Sequence, residues 1–273
     1  MSATAAKPRV LAPFGRRRLG VTANEPLGPY RVLSAADPAG PVPAAGQFFM
    51  LSTDECWGGG EDGRPFLPRA FSMLRREGDK LRFMLEDIGP GTNRLASLTP
   101  GDGLLVVGPL GGGFALGPTR RALLVGGGVG VPPLCCLQDA LLARDVEMTT
   151  LVGFRSATHA AAASLLRDPR VATDDGTAGH HGLVTELLER ELDQAGGRDC
   201  AVYACGPPAM LEAVRRLCVE GAVPAQLALE SGMACGFGAC FGCVVPLRAG
   251  GYARVCVDGP VLDAHVLAEV PAH

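Results

Sequence analysis

Cys235, Cys240, Cys243 and Cys256 stand at the C-x4-C-x2-C…C spacing, the pattern in which four thiolates hold a plant-type [2Fe–2S] cluster. The loop that carries three of them reads Met233-Ala234-Cys235-Gly236-Phe237-Gly238-Ala239-Cys240-Phe241-Gly242-Cys243. Its small residues suit a backbone wrapped closely round sulfur, with amides donating to the sulfur atoms. Four thiolates also suit tetrahedral zinc, and a short C-x2-C turn is common to both groups. Zinc knuckles usually pair two such hooks, whereas this chain has one hook, one x4 step and a lone distal cysteine. The cluster is therefore the expected group, with a structural zinc as the competing reading.

The other six cysteines, Cys56, Cys135, Cys136, Cys200, Cys205 and Cys218, read as buried small hydrophobes. A disulfide framework is not expected. The opening Met1-Ser2-Ala3-Thr4-Ala5-Ala6-Lys7-Pro8 lacks the apolar core of a signal peptide, so a reducing cytoplasm is the expected compartment. A net charge of −3 gives no basic surface for nucleic acid or anionic lipid. The apolar stretch from Ala122 to Leu134 is broken by Gly126, Gly127, Gly128, Gly130, Pro132 and Pro133, so it does not read as a membrane span. Length and composition fit compact globular domains, two rather than one.

The elements that must position the chemistry change character near residue 118. Before it lie short apolar runs, at Tyr30–Leu33, Gln47–Leu51, Ala70–Leu74, Leu81–Leu85 and Leu104–Val107, separated by Gly, Pro, Asp and Asn. They predict a small antiparallel β-barrel over residues 1–118. After it the rhythm becomes strand then helix. Leu123–Val125 leads to a helix ending near Ala143, Met148–Val152 is a strand, and Val184–Leu192 is a helix. Ala201–Tyr203 precedes a helix from Pro208 to Glu220, followed by a strand at Gln226–Leu229. This alternation predicts a doubly wound parallel α/β sheet over residues 119–228, with the cysteine segment 229–273 as a small third unit.

Two glycine-rich turns fall at predicted strand ends. Gly126, Gly127, Gly128 and Gly130 follow one apolar strand and open a helix, which suits close approach of a pyrophosphate to backbone amides. A packing turn is the alternative, since the run departs from G-x-G-x-x-G. Ala204-Cys205-Gly206-Pro207-Pro208-Ala209-Met210 ends a later strand, where ligands of open α/β sheets bind. In the first half, Arg69-Ala70-Phe71-Ser72 could offer a guanidinium to a diphosphate and a hydroxyl to a ring, or be an ordinary exposed strand. Gly91 and Thr92 sit near a helix start, a natural phosphate position.

Taken in order, Arg69-Ala70-Phe71-Ser72, Gly91-Thr92, Gly108-Pro109-Leu110-Gly111, the glycine turn and Cys205-Gly206-Pro207 resemble the ferredoxin–NADP reductase superfamily. The run Glu230-Ser231-Gly232-Met233 into the cysteine loop resembles, within it, the electron-transfer subunits of class B, NAD-dependent dihydroorotate dehydrogenases, from about Arg31 to Leu262. Family members commonly have Pro where this chain has Ala70, and Trp57–Pro65 looks like a lengthened loop. The resemblance implies an FAD-binding barrel, an NAD-binding α/β domain and a [2Fe–2S] domain. It also implies an oxidoreductase of pyrimidine synthesis that works beside an FMN-containing catalytic subunit, as a heterotetramer with two of each subunit. Cofactor contacts are implied for Arg69, Ala70, Phe71, Ser72, Gly91, Thr92, Gly126, Gly127, Gly128, Gly130, Cys205, Gly206, Pro207 and Glu230, with no acid or base supplied for catalysis. Cys205 would be a positioning residue beside the nicotinamide, or else a buried strand-end thiol. Alternative functions are the flavin and cluster subunit of an NAD(P)H:ferredoxin transhydrogenase or sulfide dehydrogenase, and a zinc-stapled nucleotide-binding module. Arg155 could touch a ribose or 2′-phosphate or be exposed, His180 and His181 are expected to be solvated, and Asp174-Asp175 reads as a turn.

Overall fold

The computed structural model describes residues 15–58, 64–119, 121–195 and 200–271. The opening segment weighed above as a signal peptide, and the middle of the lengthened loop, lie outside these. Among the described residues the first half is an antiparallel sheet of β1 (Arg17–Leu27), β2 (Tyr30–Ala36), β3 (Phe48–Thr53), β4 (Arg69–Ser72), β5 (Arg75–Glu77), β6 (Lys80–Glu86) and β7 (Gly103–Leu110). A short helix, α1 (Pro90–Ala96), lies between β6 and β7. The strand order is β4-β3-β7-β1-β2-β6-β5. Alternation explains its curl into a barrel: Leu33 and Ala35, Phe49 and Leu51, Phe83 and Leu85, and Leu104 and Val106 all point to one buried interior. Each large apolar side chain so buried contributes about 1.5–3 kcal/mol. Phe49 and Phe83 meet edge to face, with ring centroids 5.5 Å apart.

The second half is the expected α/β unit. Its elements are β8 (Arg121–Gly127), α2 (Val131–Leu142), β9 (Glu147–Phe154), β10 (Pro169–Thr173), β11 (His180–His181), α3 (Val184–Ala195), β12 (Cys200–Cys205), α4 (Pro208–Glu220) and β13 (Ala225–Ala228). The cysteine segment adds β14 (Val244–Pro246), β15 (Tyr252–Arg254) and β16 (Val261–Asp263). The sheet runs β11-β10-β9-β8-β12-β13-β16, parallel throughout except for β16, which lies antiparallel on β13. Period-two alternation loads both faces of the sheet. Ala122, Leu124 and Tyr203 pack with Leu134, Leu137 and Leu141 of α2. Leu123, Val125 and Val202 pack with Leu188 of α3 and Leu211 and Val214 of α4.

Barrel and sheet are fastened directly. Arg75 donates from Nε to Asp139 on α2 at 2.7 Å, and the Cys136 thiol reaches the Leu74 carbonyl at 3.0 Å. The cysteine segment is tied to both: Gly112 N–H donates to the Gly259 carbonyl at 2.6 Å, and Ala228 pairs with Val261. Two of the six remaining cysteines depart from the buried expectation. Cys56 is exposed and Cys136 half-buried, because the first stands outside the barrel core and the second on the side of α2 that meets β5. Among the described residues no helix is long and apolar enough to cross a membrane.

Candidate functional site

β4 ends the barrel sheet, so one of its edges pairs with β3 while the other faces a cavity of about 270 Å³. Lying along that open edge, the cavity takes lining from Arg69, Ala70, Phe71 and Ser72 together, and Thr92 and Glu230 close it. Gly91 lies under Arg69: a Cβ there would stand 2.7 Å from Arg69 Nε. Thr92 is the third residue of α1 rather than its cap. Its Oγ1 accepts from the backbone N–H groups of Ile88 and Gly89, both at 2.9 Å, and so fixes the helix start from within.

A second cavity, about 420 Å³, opens at the carboxyl ends of β8 and β12, where the strand order reverses. The structure divides the glycines by role. Gly127 and Gly128 line this crevice, as does Pro207. Gly126 leaves room for Leu134, and Gly130 lets the turn lie against β12, since a Cβ at 130 would fall 2.1 Å from the Cys205 carbonyl oxygen. Among the four glycines of this turn, Gly128 alone combines a left-handed backbone, φ +51°, with open space above it. Cys205 lines neither cavity. It is the buried strand-end thiol, and burial, then the nearby Glu230 carboxylate, push its titration well above the ordinary range. The two cavities share walls at Glu86 and Val129.

Several lining residues gave no local sequence signal. Tyr30, Glu86, Val129 and His159 come together from two strands and two short helical segments. Asp174 belongs to the turn expected for it, which follows β10 into the crevice wall. Arg155 also lines the crevice, and its guanidinium is held 3.1 Å from Glu86. His180 is not solvated as expected: its Nε2 lies 2.7 Å from Glu186, and that contact, then the Leu183 backbone N–H, hold Glu186 below the usual carboxylate range. His181 is exposed.

The cysteine loop docks on the outer face of the barrel. Gly236, at φ +77°, admits no side chain because a Cβ would lie 2.6 Å from Met50 Cγ. Burial pushes the Cys235 thiol up, but the amides of Cys240, Phe237 and Ala239 and the Cys240 thiol outweigh it and hold Cys235 at about 6. The Ala239 N–H donates to Cys235 Sγ at 3.3 Å and the Cys256 N–H to Cys243 Sγ at 3.4 Å. Burial and the contact with Cys243 push Cys256 up to about 12. Among the described residues no three Cys, His, Asp or Glu side chains form a group that could hold a single ion. Cys235 is in hydrogen-bonding contact with Cys240, and Cys256 with Cys243, while Cys235 also bears electrostatically on Cys256. Two such contacts suit a two-iron group, which takes two ligands per iron, and the amides already donating to cysteine sulfur suit it as well.

Residues 230–268 match the family model for the iron-sulfur cluster binding domain of dihydroorotate dehydrogenase B. The chain is 35% identical over 264 residues to the electron transfer subunit of dihydroorotate dehydrogenase B (NAD(+)) of Geobacillus thermodenitrificans, covering 92% of this chain and 98% of that one. It is 36% identical over 229 residues to the same subunit of Caldanaerobacter subterraneus, covering 82% and 87%. The chain belongs to this family. Solved structures agree on the architecture of this dihydroorotate dehydrogenase B electron transfer subunit family member. An NADH-dependent reduced ferredoxin-NADP oxidoreductase superposes with TM-score 0.77 at 24% identity, over 92% of this chain and 90% of its own. Phthalate dioxygenase reductase superposes with TM-score 0.60 at 17% identity, over 94% and 96%.

Proposed function

We propose that the chain carries electrons, released when a partner subunit oxidises dihydroorotate, to NAD+ in the synthesis of UMP, through a [2Fe–2S] cluster and FAD. One observation carries the reading. Glu230, Ser231 and Met233 line the barrel cavity, that cavity shares Glu86 and Val129 with the crevice, and Cys235 begins its loop two residues after Met233. Three sites are thereby joined by adjoining walls. When bound, nicotinamide supplies two-electron hydride chemistry, the cluster one-electron chemistry, and flavin the exchange between them.

The chain's own residues bind and align. Arg69 would meet the FAD diphosphate, with Ser72 and Thr92 beside it, and Phe71 and Ala70 would pack along the flavin. Glu230 would stand near the flavin or nicotinamide edge. Gly127, Gly128 and Pro207 would border NAD, while Gly126, Gly130, Cys205 and Gly206 shape the turns that bring them there. Cys235, Cys240, Cys243 and Cys256 would ligate iron. No side chain is asked to act as general acid or base. The partner would be an FMN-containing catalytic subunit in a heterotetramer with two of each. A cytoplasmic setting, where thiols stay reduced, belongs to the same proposal.

Cys240→Ser tests the reading, because an alkoxide is a poor substitute for a soft thiolate on iron. With the partner present, dihydroorotate-driven NAD+ reduction should collapse, while NADH-to-ferricyanide activity and FAD content persist. Coupled activity near wild type in protein shown to lack iron would refute it.

A further inference from the structure

Arg69 is held more closely than an edge-strand arginine needs to be. Its guanidinium carbon lies over the ring of Trp57, 5.9 Å from the centroid, within the roughly 6 Å reach of a cation–π contact. Its Nη1 donates to the Leu67 carbonyl at 2.6 Å. The backbone at Gly91 comes so close that a Cβ would stand 2.7 Å from Nε and 3.0 Å from Cγ and Cζ. Trp57 itself is not part of the cavity wall that Arg69 lines, and it touches a residue of that wall at Arg69.

An unrestrained arginine samples many rotamers, and fixing one on binding opposes affinity. A guanidinium already fixed by a ring, a carbonyl and a helix backbone presents its planar fork without that loss. We infer that Trp57 and Gly91 form a clamp that presents Arg69 to the diphosphate of the flavin, with Trp57 as a positioning residue. The inference rests on the assignment of Arg69 proposed above. It explains why position 91 must lack a side chain although its backbone is not left-handed: the space is taken by Arg69.

The test is titration of flavin-free protein with FAD and with riboflavin, which has no diphosphate. Arg69→Ala should weaken FAD roughly ten- to hundred-fold. Trp57→Leu should weaken FAD about three- to thirty-fold and leave riboflavin within about two-fold of wild type. Trp57→Phe, which keeps an aromatic face, should recover most of that loss. Gly91→Ala should fold and weaken FAD as its methyl displaces Arg69, and it carries the comparison if Trp57→Leu does not fold. In the Arg69→Ala background, Trp57→Leu should add nothing. If Arg69→Ala alone binds FAD as wild type does, the assignment of Arg69 fails and the clamp with it. If Arg69→Ala loses FAD but Trp57→Leu and Gly91→Ala do not, only the clamp is overturned. Equal weakening of FAD and riboflavin, or a further loss in the Arg69→Ala background, makes Trp57 a part of the loop's fold and overturns the inference.

Discussion

Gly128 and Gly130, two residues apart in one turn, should fail in opposite ways when given a methyl group. At Gly130 the new Cβ would lie 2.1 Å from the Cys205 carbonyl oxygen, 2.4 Å from its carbon and 2.6 Å from the Gly206 nitrogen. All three are backbone atoms, and β12 cannot retreat without breaking its pairing of Cys205 with Gly126. Overpacking costs about 1–3 kcal/mol where side chains can yield, so Gly130→Ala should reach or pass the upper end. For a chain of this size that corresponds to a melting temperature lower by roughly 6–12 °C. At Gly128 nothing lies within 4 Å of the added Cβ, and the cost is the left-handed backbone, about 1 kcal/mol. The methyl would project into the crevice that Gly128 lines, so NADH binding should weaken by roughly ten-fold or more. Thermal melts and the NADH dependence of flavin reduction in stopped flow separate the two. A Gly130→Ala protein that melts with wild type, or a Gly128→Ala protein with the wild-type NADH dependence, would refute this division of the turn.

Acid stability provides another test. Hydrogen bonds from Arg215, then from Arg216 and the Val270 N–H, outweigh burial and hold Glu212 at about 2, below its ordinary 4.5. Its stabilising effect is therefore complete above about pH 4.5 and lost as pH falls towards 2; with the carboxylate partly open to solvent it is on the order of 1 kcal/mol. Denaturant unfolding at pH 5 and pH 3 should show Glu212→Gln less stable than wild type at the higher pH, with the gap narrowing at the lower. Gly236→Ala should drive a methyl against Met50 and lift the cysteine loop, so iron per chain should fall while FAD content holds; full iron occupancy would show that the docking contact is dispensable.

What could be read from the sequence was local. The cysteine offsets fall within one short loop and one later turn, and the first glycine turn follows the unbroken apolar run Ala122 to Val125, as a strand buried on both faces requires. β1 gave no such run: only Leu19 and Val21 among its residues are buried, and its strand character comes from pairing with β2 and β7. The shared wall between the cavities was invisible for the same reason. Glu86 and Val129 are far apart in sequence, and the partner of Arg155 is 69 residues away. Four neighbouring glycines look alike as letters, and only the atoms facing them separate a ligand-facing position from a packing one. His180 is the opposite case: its carboxylate partner lies six residues on, in the first turn of α3, and could have been anticipated.

β16 gives the iron-binding segment a second duty. Without Val261–Asp263 lying along it, β13 would present Ala225, Leu227 and Ala228 on an open sheet border, with a row of unsatisfied amides and carbonyls ready to recruit another chain. Truncation of residues 229–273, the obvious way to make a cluster-free flavin and nucleotide fragment, would therefore yield a molecule prone to self-association. Solubility and metal binding are encoded in the same stretch of chain, and a cluster-free protein is better reached by replacing cysteines than by cutting.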